Sequence, residues 1–500
     1  MSGRRHSVDS RQGVCFGEWE RSQRRPPATE GAYRSSEQPQ RLPRRLPLGA
    51  ATASFQIEGA TTADGRGRSI WDTFAETPGK VLNGDTGDPA DDHYHRYAED
   101  VALMRRLNLG AYRFSVAWPR VVPDGTGPVN QAGLDFYDRL VDSLLEAGVQ
   151  PWATLYHWDL PQPLEDAGGW PVRDTAYRFA DYSRVVAEAL GDRVTHWMTI
   201  NEPWCAAFLG YENGHHAPGR KDPAAALAAT HHLLLGHGLA AEAIRSTGHP
   251  SKVGLAHNQA VIRPHGANAA DARAARRADG VRNRIFTDPL LKGAYPADVV
   301  ADLADVSDFS FVLDGDLKTI STPLDFLGVN YYSPEFVAGS AEGIDPALVS
   351  GDGDAWLGAG PDEVHVSQGL PVTHMGWEID PTGLYDVLQR LAGESGGVDL
   401  YVTENGCAFE DTVSEDGAVH DPDRTDYYEG HLRAAREAIH AGVPLRGYFA
   451  WSLLDNFEWA WGYSRRFGIV HVDYETQERV VKDTGHWYAE LARTGRFPER

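Results

Sequence analysis

The sequence predicts one (β/α)8 barrel of the α/β class, preceded by an N-terminal extension. Two patterns support this prediction: eight short apolar runs are typical of strands, and amphipathic stretches of helical period lie between them. The 500 residues exceed one ordinary domain, but a barrel with long loops uses most of such a length. A composition of 42% hydrophobic and 24% charged residues supplies ample material for a core.

The eight predicted strands follow in order at 48–54, 111–117, 151–157, 195–201, 252–258, 324–332, 399–405 and 445–451. Each is a short run of apolar, β-branched or aromatic residues. Helical period is clearest between them at 92–107, 132–147, 174–190, 223–246 and 423–441. We expect the Gly-, Pro- and Asp-rich segment 338–372 to form one long loop. This regular alternation favours a closed barrel over an open sheet.

Residues 1–45 differ from the rest of the chain in charge. They hold ten arginines, five acidic residues and no lysine, a net +5, which leaves −29 for the remainder of the −24 chain. The segment shows no helical or strand period, which predicts a disordered extension at 1–45 and a catalytic domain over 46–500. A solvated tail or a mis-assigned start is favoured over an organelle transit peptide, because transit peptides are poor in acids.

Charge and cysteine content restrict the partners and the compartment. An acidic body is unsuited to nucleic acid, whose binding needs a basic face. The chain has no apolar run of about 18 residues, which argues against a membrane span, and its first residues lack the apolar stretch of a secretory signal. The three cysteines, Cys15, Cys205 and Cys407, show neither zinc spacing nor a disulfide framework. Together these features predict a cytoplasmic protein.

Glutamates stand where two of the predicted strands end, and barrel enzymes act at those C-terminal ends. Strand four ends in TINEP (199–203), which contains Glu202, and strand seven ends in TENG (403–406), which contains Glu404. Glycoside hydrolysis requires two such carboxyl groups, one protonated to donate to the leaving oxygen and one ionised to meet the oxocarbenium-like carbon. Glutamates that cap helices or form salt bridges are the structural alternative.

Other strand ends carry the residue types that bind sugars. Polar side chains can hydrogen-bond to sugar hydroxyls, and tryptophan can stack on the apolar face of a pyranose ring. At or just beyond the strand ends, these residues are Gln56 for strand one, His157 and Trp158 for strand three, Asn330 and Tyr332 for strand six, and Trp451, Glu458 and Trp459 for strand eight.

Seven motifs occur in collinear order between about residues 49 and 495. They are ATASFQIEGA (51–60), YRFSVAWPR (112–120), YHWDLPQPL (156–164), TINEPW (199–204), LGVNYYS (327–333), VTENG (402–406) and WSLLDNFEWAWGYSRRFGIVHVD (451–473). In these motifs the sequence resembles glycoside hydrolase family one, specifically its bacterial β-glucosidases.

The resemblance implies a retaining mechanism, in which Glu404 attacks the anomeric carbon and Glu202 acts first as general acid and then as general base. Such a mechanism places the two carboxyl groups about 5–5.5 Å apart. The resemblance assigns support of the nucleophile to Arg113, Asn330 and Tyr332, and substrate binding to Gln56, His157, Trp158, Asn201, Trp377, Trp451, Glu458 and Trp459. An ordinary interior ion pair is the alternative for Arg113, and loop packing is the alternative for Trp377.

The implied substrates are cellobiose, short oligosaccharides and aryl or alkyl β-glucosides, with β-galactosides and β-fucosides as further possibilities. Glu458 disfavours a 6-phospho-β-glucosidase, because a carboxylate repels a phosphate dianion. A mainly transglycosylating enzyme shares the covalent intermediate and stays open, whereas a non-hydrolytic sugar-binding barrel would not need both glutamates. No metal or cofactor is implied, since two carboxyl groups and water suffice. The sequence leaves the oligomeric state open.

Overall fold

The computed structural model describes residues 41–43, 46–350 and 356–499. The disorder predicted for 1–45 therefore falls, except at 41–43, outside the described residues and stays a prediction. Leu42 is buried, and its backbone N–H donates to the carbonyl of Gly495 at 2.8 Å. Ordered contacts thus begin before the predicted domain start at residue 46.

The described strands are β1 (Leu48–Ala51), β2 (Ala111–Ser115), β3 (Gln150–Tyr156), β4 (His196–Asn201), β5 (Lys252–Asn258), β6 (Val261–Pro264), β7 (Phe326–Asn330), β8 (Pro334–Ala338), β9 (Val349–Ser350), β10 (Val364–Val366), β11 (Asp399–Asn405), β12 (Leu445–Trp451), β13 (Val470–Val472) and β14 (Arg479–Val481). Eight of them close a barrel in the order β1-β12-β11-β7-β5-β4-β3-β2, and every neighbouring pair is parallel. The predicted (β/α)8 barrel is confirmed.

The described α-helices are α1 (Ser54–Ile57), α2 (Ile70–Glu76), α3 (His93–Arg106), α4 (Trp118–Val121), α5 (Gln131–Glu146), α6 (Gln162–Asp166), α7 (Asp174–Leu190), α8 (Pro223–Ser246), α9 (Ala269–Asp279), α10 (Ile285–Lys292), α11 (Ala297–Asp302), α12 (Asp316–Ile320), α13 (Pro381–Glu394), α14 (Pro422–His440) and α15 (Asp483–Thr494). The five helices that the sequence predicted lie within one residue of their expected ends. Asp222 caps the first turn of α8 by accepting from the Ala225 N–H, with proline at the first helical position.

The barrel interior is a packed core of aromatic side chains. The Trp152 ring lies 5.4 Å from the ring of Phe326, 4.7 Å from Tyr401 and 5.2 Å from Phe449, measured between centroids. Gly49 leaves room for this cluster, because a Cβ there would come within 2.7 Å of the Phe449 ring. Chemistry is therefore confined to the ends of the strands.

The segment 338–372 differs from the single long loop that the sequence predicts. Its described residues include β9, β10 and the last residue of β8, which join β6 in a four-stranded sheet of order β6-β8-β10-β9. Strands of two or three residues are too short to give a recognisable alternation of apolar and polar residues. The prediction of a featureless loop was therefore wrong.

Within the described ranges, no helix is long and apolar enough to cross a membrane. The cytoplasmic location stays a prediction.

Candidate active site

Two glutamates lie at the C-terminal ends of barrel strands. Glu404 is the sixth residue of β11, and Glu202 directly follows β4. The pairing register shifts between Met198 and Asn201 on β4 and again between Val402 and Glu404 on β11. A β-bulge redirects the side chains that follow it, so both glutamates depart from the regular alternation of their strands.

The backbone at Glu202 adopts an unusual conformation for a residue with a side chain. Its φ of 46° lies in the left-handed region, which costs free energy for residues other than glycine. The next segment, Cys205–Glu212, is π-helical, a local form that occurs often at functional sites. The chain thus uses an unfavourable backbone conformation to set the direction of this carboxyl group.

Glu404 is held by a cation and a phenol. Arg113 Nη1 contacts its Oε1 at 2.5 Å, and the Tyr332 hydroxyl donates to its Oε2 at 2.6 Å. Arg113 is fully buried, and its Nε donates to the Thr154 hydroxyl at 3.1 Å. Burial raises the pKa of Glu404, while the charge of Arg113 and the hydrogen bond from Tyr332 oppose that increase.

Glu202 has hydrogen-bond donors on both oxygens but, among the described residues, no cation in contact. Asn330 Nδ2 donates to its Oε1 at 2.7 Å, and the Cys205 thiol donates to its Oε2 at 3.1 Å. Burial, and next the negative charge of Glu404, raise the pKa of Glu202 to about 7. The two glutamates therefore lie in contrasting surroundings.

Asn201 connects the two glutamates through shared partners. Its Oδ1 accepts from Arg113 Nη2 at 2.5 Å and from Asn330 Nδ2 at 3.0 Å. Arg113 also contacts Glu404, and Asn330 also contacts Glu202. The side chains that orient the two carboxyl groups thus form one continuous buried network.

His157 presents a hydrogen-bond donor that has no partner in the described part of the protein. Asn201 Nδ2 lies 3.1 Å from His157 Nε2, and an amide nitrogen only donates, so Nε2 accepts and the proton resides on Nδ1. Among the described residues this buried Nδ1 has no partner. Burial lowers the pKa of His157 well below its usual value, which keeps the ring neutral.

Gln56 contacts the two residues that precede Glu458 in the sequence. Gln56 Nε2 donates to Asn456 Oδ1 at 3.0 Å and to the carbonyl of Phe457 at 2.9 Å. Gln56 Oε1 and Glu458 Oε2 are both buried and have no partner among the described residues. Burial, together with the charges of Glu404 and Glu202, raises the pKa of Glu458 to about 8.

The predicted tryptophans surround these polar groups. The rings of Trp158 and Trp459 lie 4.6 Å apart, and His157 stacks 5.7 Å from Trp451, measured between centroids. Trp158 Nε1 also donates to the carbonyl of Asn201 at 3.0 Å. Trp377 is half-buried, and its ring centroid lies 5.4 Å from that of Tyr332. The predicted site residues therefore lie in one contiguous cluster.

Sequence reasoning missed Cys205, which contacts Glu202, and Asn258, which contacts Cys205. The cysteine spacing predicts neither a zinc site nor a disulfide and gives no sign that the Cys205 thiol contacts the glutamate. Asn258 Nδ2 in turn contacts Cys205 Sγ at 3.5 Å. Asn258 is the last residue of predicted strand five, so its position at a strand end was the signal that could have identified it.

Comparisons with known proteins agree with this architecture. The family model described as glycosyl hydrolase family 1 matches residues 38–497. β-Glucosidase A of Thermotoga maritima is 47% identical over 454 residues, covering 91% of this chain and 98% of the relative. The bifunctional β-D-glucosidase/β-D-fucosidase of Bifidobacterium breve is 49% identical over 457 residues, covering 89% and 97% of the two chains.

A solved structure gives the same result. The family 1 β-glucosidase from Thermotoga maritima matches with a TM-score of 0.86 at 46% identity, covering 92% of this chain and all of the other. The predicted fold and the predicted resemblance are both confirmed. The chain belongs to glycosyl hydrolase family 1.

Proposed function

We propose that this protein is a retaining β-glucosidase in which Glu404 is the nucleophile and Glu202 the general acid/base. The observation that carries the proposal is the contrast between two buried glutamates at the ends of β4 and β11. Arg113 and Tyr332 stabilise negative charge on Glu404, whereas in the described structure Glu202 has no contacting cation and a pKa of about 7. Different contacts of two neighbouring carboxyl groups separate the nucleophile from the general acid/base.

In the first step, an oxygen of Glu404 attacks the anomeric carbon and the bond to the aglycone oxygen breaks. Glu202 gives its proton to that oxygen, so a neutral alcohol leaves and a covalent glycosyl-enzyme remains. Glu404 loses its negative charge as the new bond forms. Arg113 then faces the ester that joins Glu404 to the sugar, instead of a carboxylate. The pKa of about 7 allows a substantial protonated fraction of Glu202 at neutral pH.

In the second step, ionised Glu202 takes a proton from water as the water oxygen attacks the same carbon. The bond to Glu404 breaks, its carboxylate returns to Arg113, and the sugar leaves with retained configuration. Two inversions at one carbon account for the retention.

Three unpartnered polar atoms support a polyhydroxylated ligand. Gln56 Oε1, His157 Nδ1 and Glu458 Oε2 are buried without protein partners in the described part of the chain. Each unsatisfied buried group costs about 1–3 kcal/mol, and a hydrogen bond to a sugar hydroxyl offsets this cost. Trp451 and Trp459 supply flat apolar surfaces beside these atoms for the face of the ring.

The substrate class follows from the same groups and from the names of the relatives. We assign terminal β-glucosyl residues of cellobiose, short oligosaccharides and aryl or alkyl glucosides, and also β-fucosides, since one relative is named a glucosidase/fucosidase. A 6-phosphoglucoside is disfavoured as a substrate, as the sequence predicts, but the physical reason differs in part. Burial, and next the charges of Glu404 and Glu202, raise the pKa of Glu458 to about 8, so at pH 7 Glu458 repels a phosphate less than a full carboxylate would, and the charge of Glu404 adds to the repulsion.

The test is Glu404→Ala with a panel of nitrophenyl glycosides, cellobiose and a 6-phosphoglucoside. We expect hydrolysis to be abolished and added azide to restore turnover, with the glycosyl azide formed in the inverted α configuration. Glu410→Ala is the matched control, because that side chain is 85% exposed and lies on the following loop. Unchanged activity in Glu404→Ala, or an azide product of β configuration, would refute the assignment.

A further inference from the structure

Both carboxyl oxygens of Glu202 face hydrogen-bond donors. Asn330 Nδ2 lies 2.7 Å from Oε1, and Cys205 Sγ lies 3.1 Å from Oε2. An ionised carboxylate accepts a hydrogen bond more strongly than a protonated carboxyl group, so both contacts are strongest when Glu202 is ionised. The local hydrogen bonds therefore fit the ionised form, although burial favours the neutral one.

Asn258 orients the Cys205 thiol. Asn258 Nδ2 lies 3.5 Å from Cys205 Sγ, and because an amide nitrogen only donates, the sulfur accepts there and its S–H is available to Glu202. Cys205 and Asn258 are both buried. Hydrogen bonds in such a chain polarise one another and strengthen the last donor.

Charged and titratable groups on several structural elements influence Glu202 and Cys205 electrostatically. Glu202 is influenced by Glu404 of β11 and by Arg113 of β2. Its charge in turn acts on Tyr332 after β7 and on Glu458 after β12. Arg282 acts on the Cys205 thiol. None of these groups other than Cys205 has a hydrogen bond to Glu202 Oε2 in the described structure.

We propose that Cys205 is a positioning residue for the general acid/base: its thiol, oriented by Asn258, fixes the Glu202 carboxyl group and favours the ionised state that the second step uses. The inference rests on the proposed function. The physical need is clear, since one carboxyl group must serve as acid and base in a single cycle. Burial and the neighbouring Glu404 stabilise the acid, and the thiol counteracts them.

The test compares Cys205→Val, which has no donor, with Cys205→Ser, which has a stronger one. The readout is the alkaline limb of kcat/KM for cellobiose, where activity falls as Glu202 loses its proton. Loss of the donor raises the pKa of Glu202, so the limb of Cys205→Val should move up by about 0.5–1 pH unit. Cys205→Ser should keep the limb at or below its wild-type position, and Asn258→Leu should show a smaller upward shift.

Cys407→Ala is the matched control, because Cys407 is also a buried free cysteine and does not contact Glu202; its limb should not move. A limb in Cys205→Val that coincides with wild type, or a serine variant that behaves like valine, would overturn the inference. A merely structural role would lower activity at all pH values without shifting the limb. Failure of the proposed function is distinct, since Glu202→Ala would then hydrolyse cellobiose normally.

Discussion

Removing the Tyr332 hydroxyl tests how the protein keeps its proposed nucleophile ionised. In Tyr332→Phe the ring stays beside Trp377 and Phe467, but the 2.6 Å hydrogen bond to Glu404 is lost. A hydrogen bond to a charged group contributes about 1.5–3 kcal/mol, which corresponds to about 1–2 pKa units. The hydroxyl stabilises the ionised form, so its loss raises the pKa of Glu404.

The expected result is an acidic limb of kcat/KM that moves to higher pH by about 1–2 units, because Glu404 must lose its proton before it can attack. The assay is the pH dependence of nitrophenyl glucoside hydrolysis. Tyr331→Phe is the matched control: Tyr331 is the adjacent buried tyrosine, and its hydroxyl donates to the carbonyl of Asp380 instead. An unmoved acidic limb in Tyr332→Phe, or an equal shift in Tyr331→Phe, would refute this reasoning.

Three further predictions follow from the same structure. Glu202→Ala should lower kcat/KM for cellobiose by about 10²–10⁴-fold but that for a dinitrophenyl glucoside far less, because this leaving group needs no proton; equal losses would contradict the acid role. Lys482→Met should lower the free energy of unfolding, measured by urea denaturation, by about 3–5 kcal/mol, since the fully buried ammonium contacts two carboxylates at 2.5 and 2.6 Å. Arg68→Ala removes an exposed ion pair and should lower the free energy of unfolding by less than about 1 kcal/mol. Similar losses in the two variants would refute this distinction between buried and exposed ion pairs. A chain beginning at Gln40 should retain full glucoside hydrolysis, because every proposed site residue lies beyond residue 45; a folded chain without activity would show that the extension contributes.

The fold was largely predictable because its signals are local. The ranges predicted for β5, β11 and β12 agree with the structure at both ends. The helices α7 and α8 also begin and end where the sequence predicts. Apolar runs and helical periods persist over seven residues or more in these elements, so their patterns are unambiguous. The short strands within 338–372 lack that length.

The site was predictable as a set of residues but not as a set of contacts. Strand ends placed Glu202 and Glu404 at one edge of the barrel, as its topology requires. No local pattern could show that Asn201 lies between Arg113 and Asn330, because these partners are far apart in sequence. Nor could it show the bulges on β4 and β11, which involve register rather than residue type.

The charge state of Glu458 depends on properties that emerge only on folding. From the sequence, this residue is an ordinary acid that would repel a phosphate. In the folded protein it is buried near two other carboxyl groups, which raises its pKa to about 8. At pH 7 it can therefore donate a hydrogen bond to a sugar hydroxyl as well as accept one, which suits a neutral sugar. Burial, and next the negative charge of Glu404, raise the pKa of Glu202 to about 7. Burial of the site is therefore the leading cause both of the hydrogen-bond donor state of Glu458 and of the acid state of Glu202.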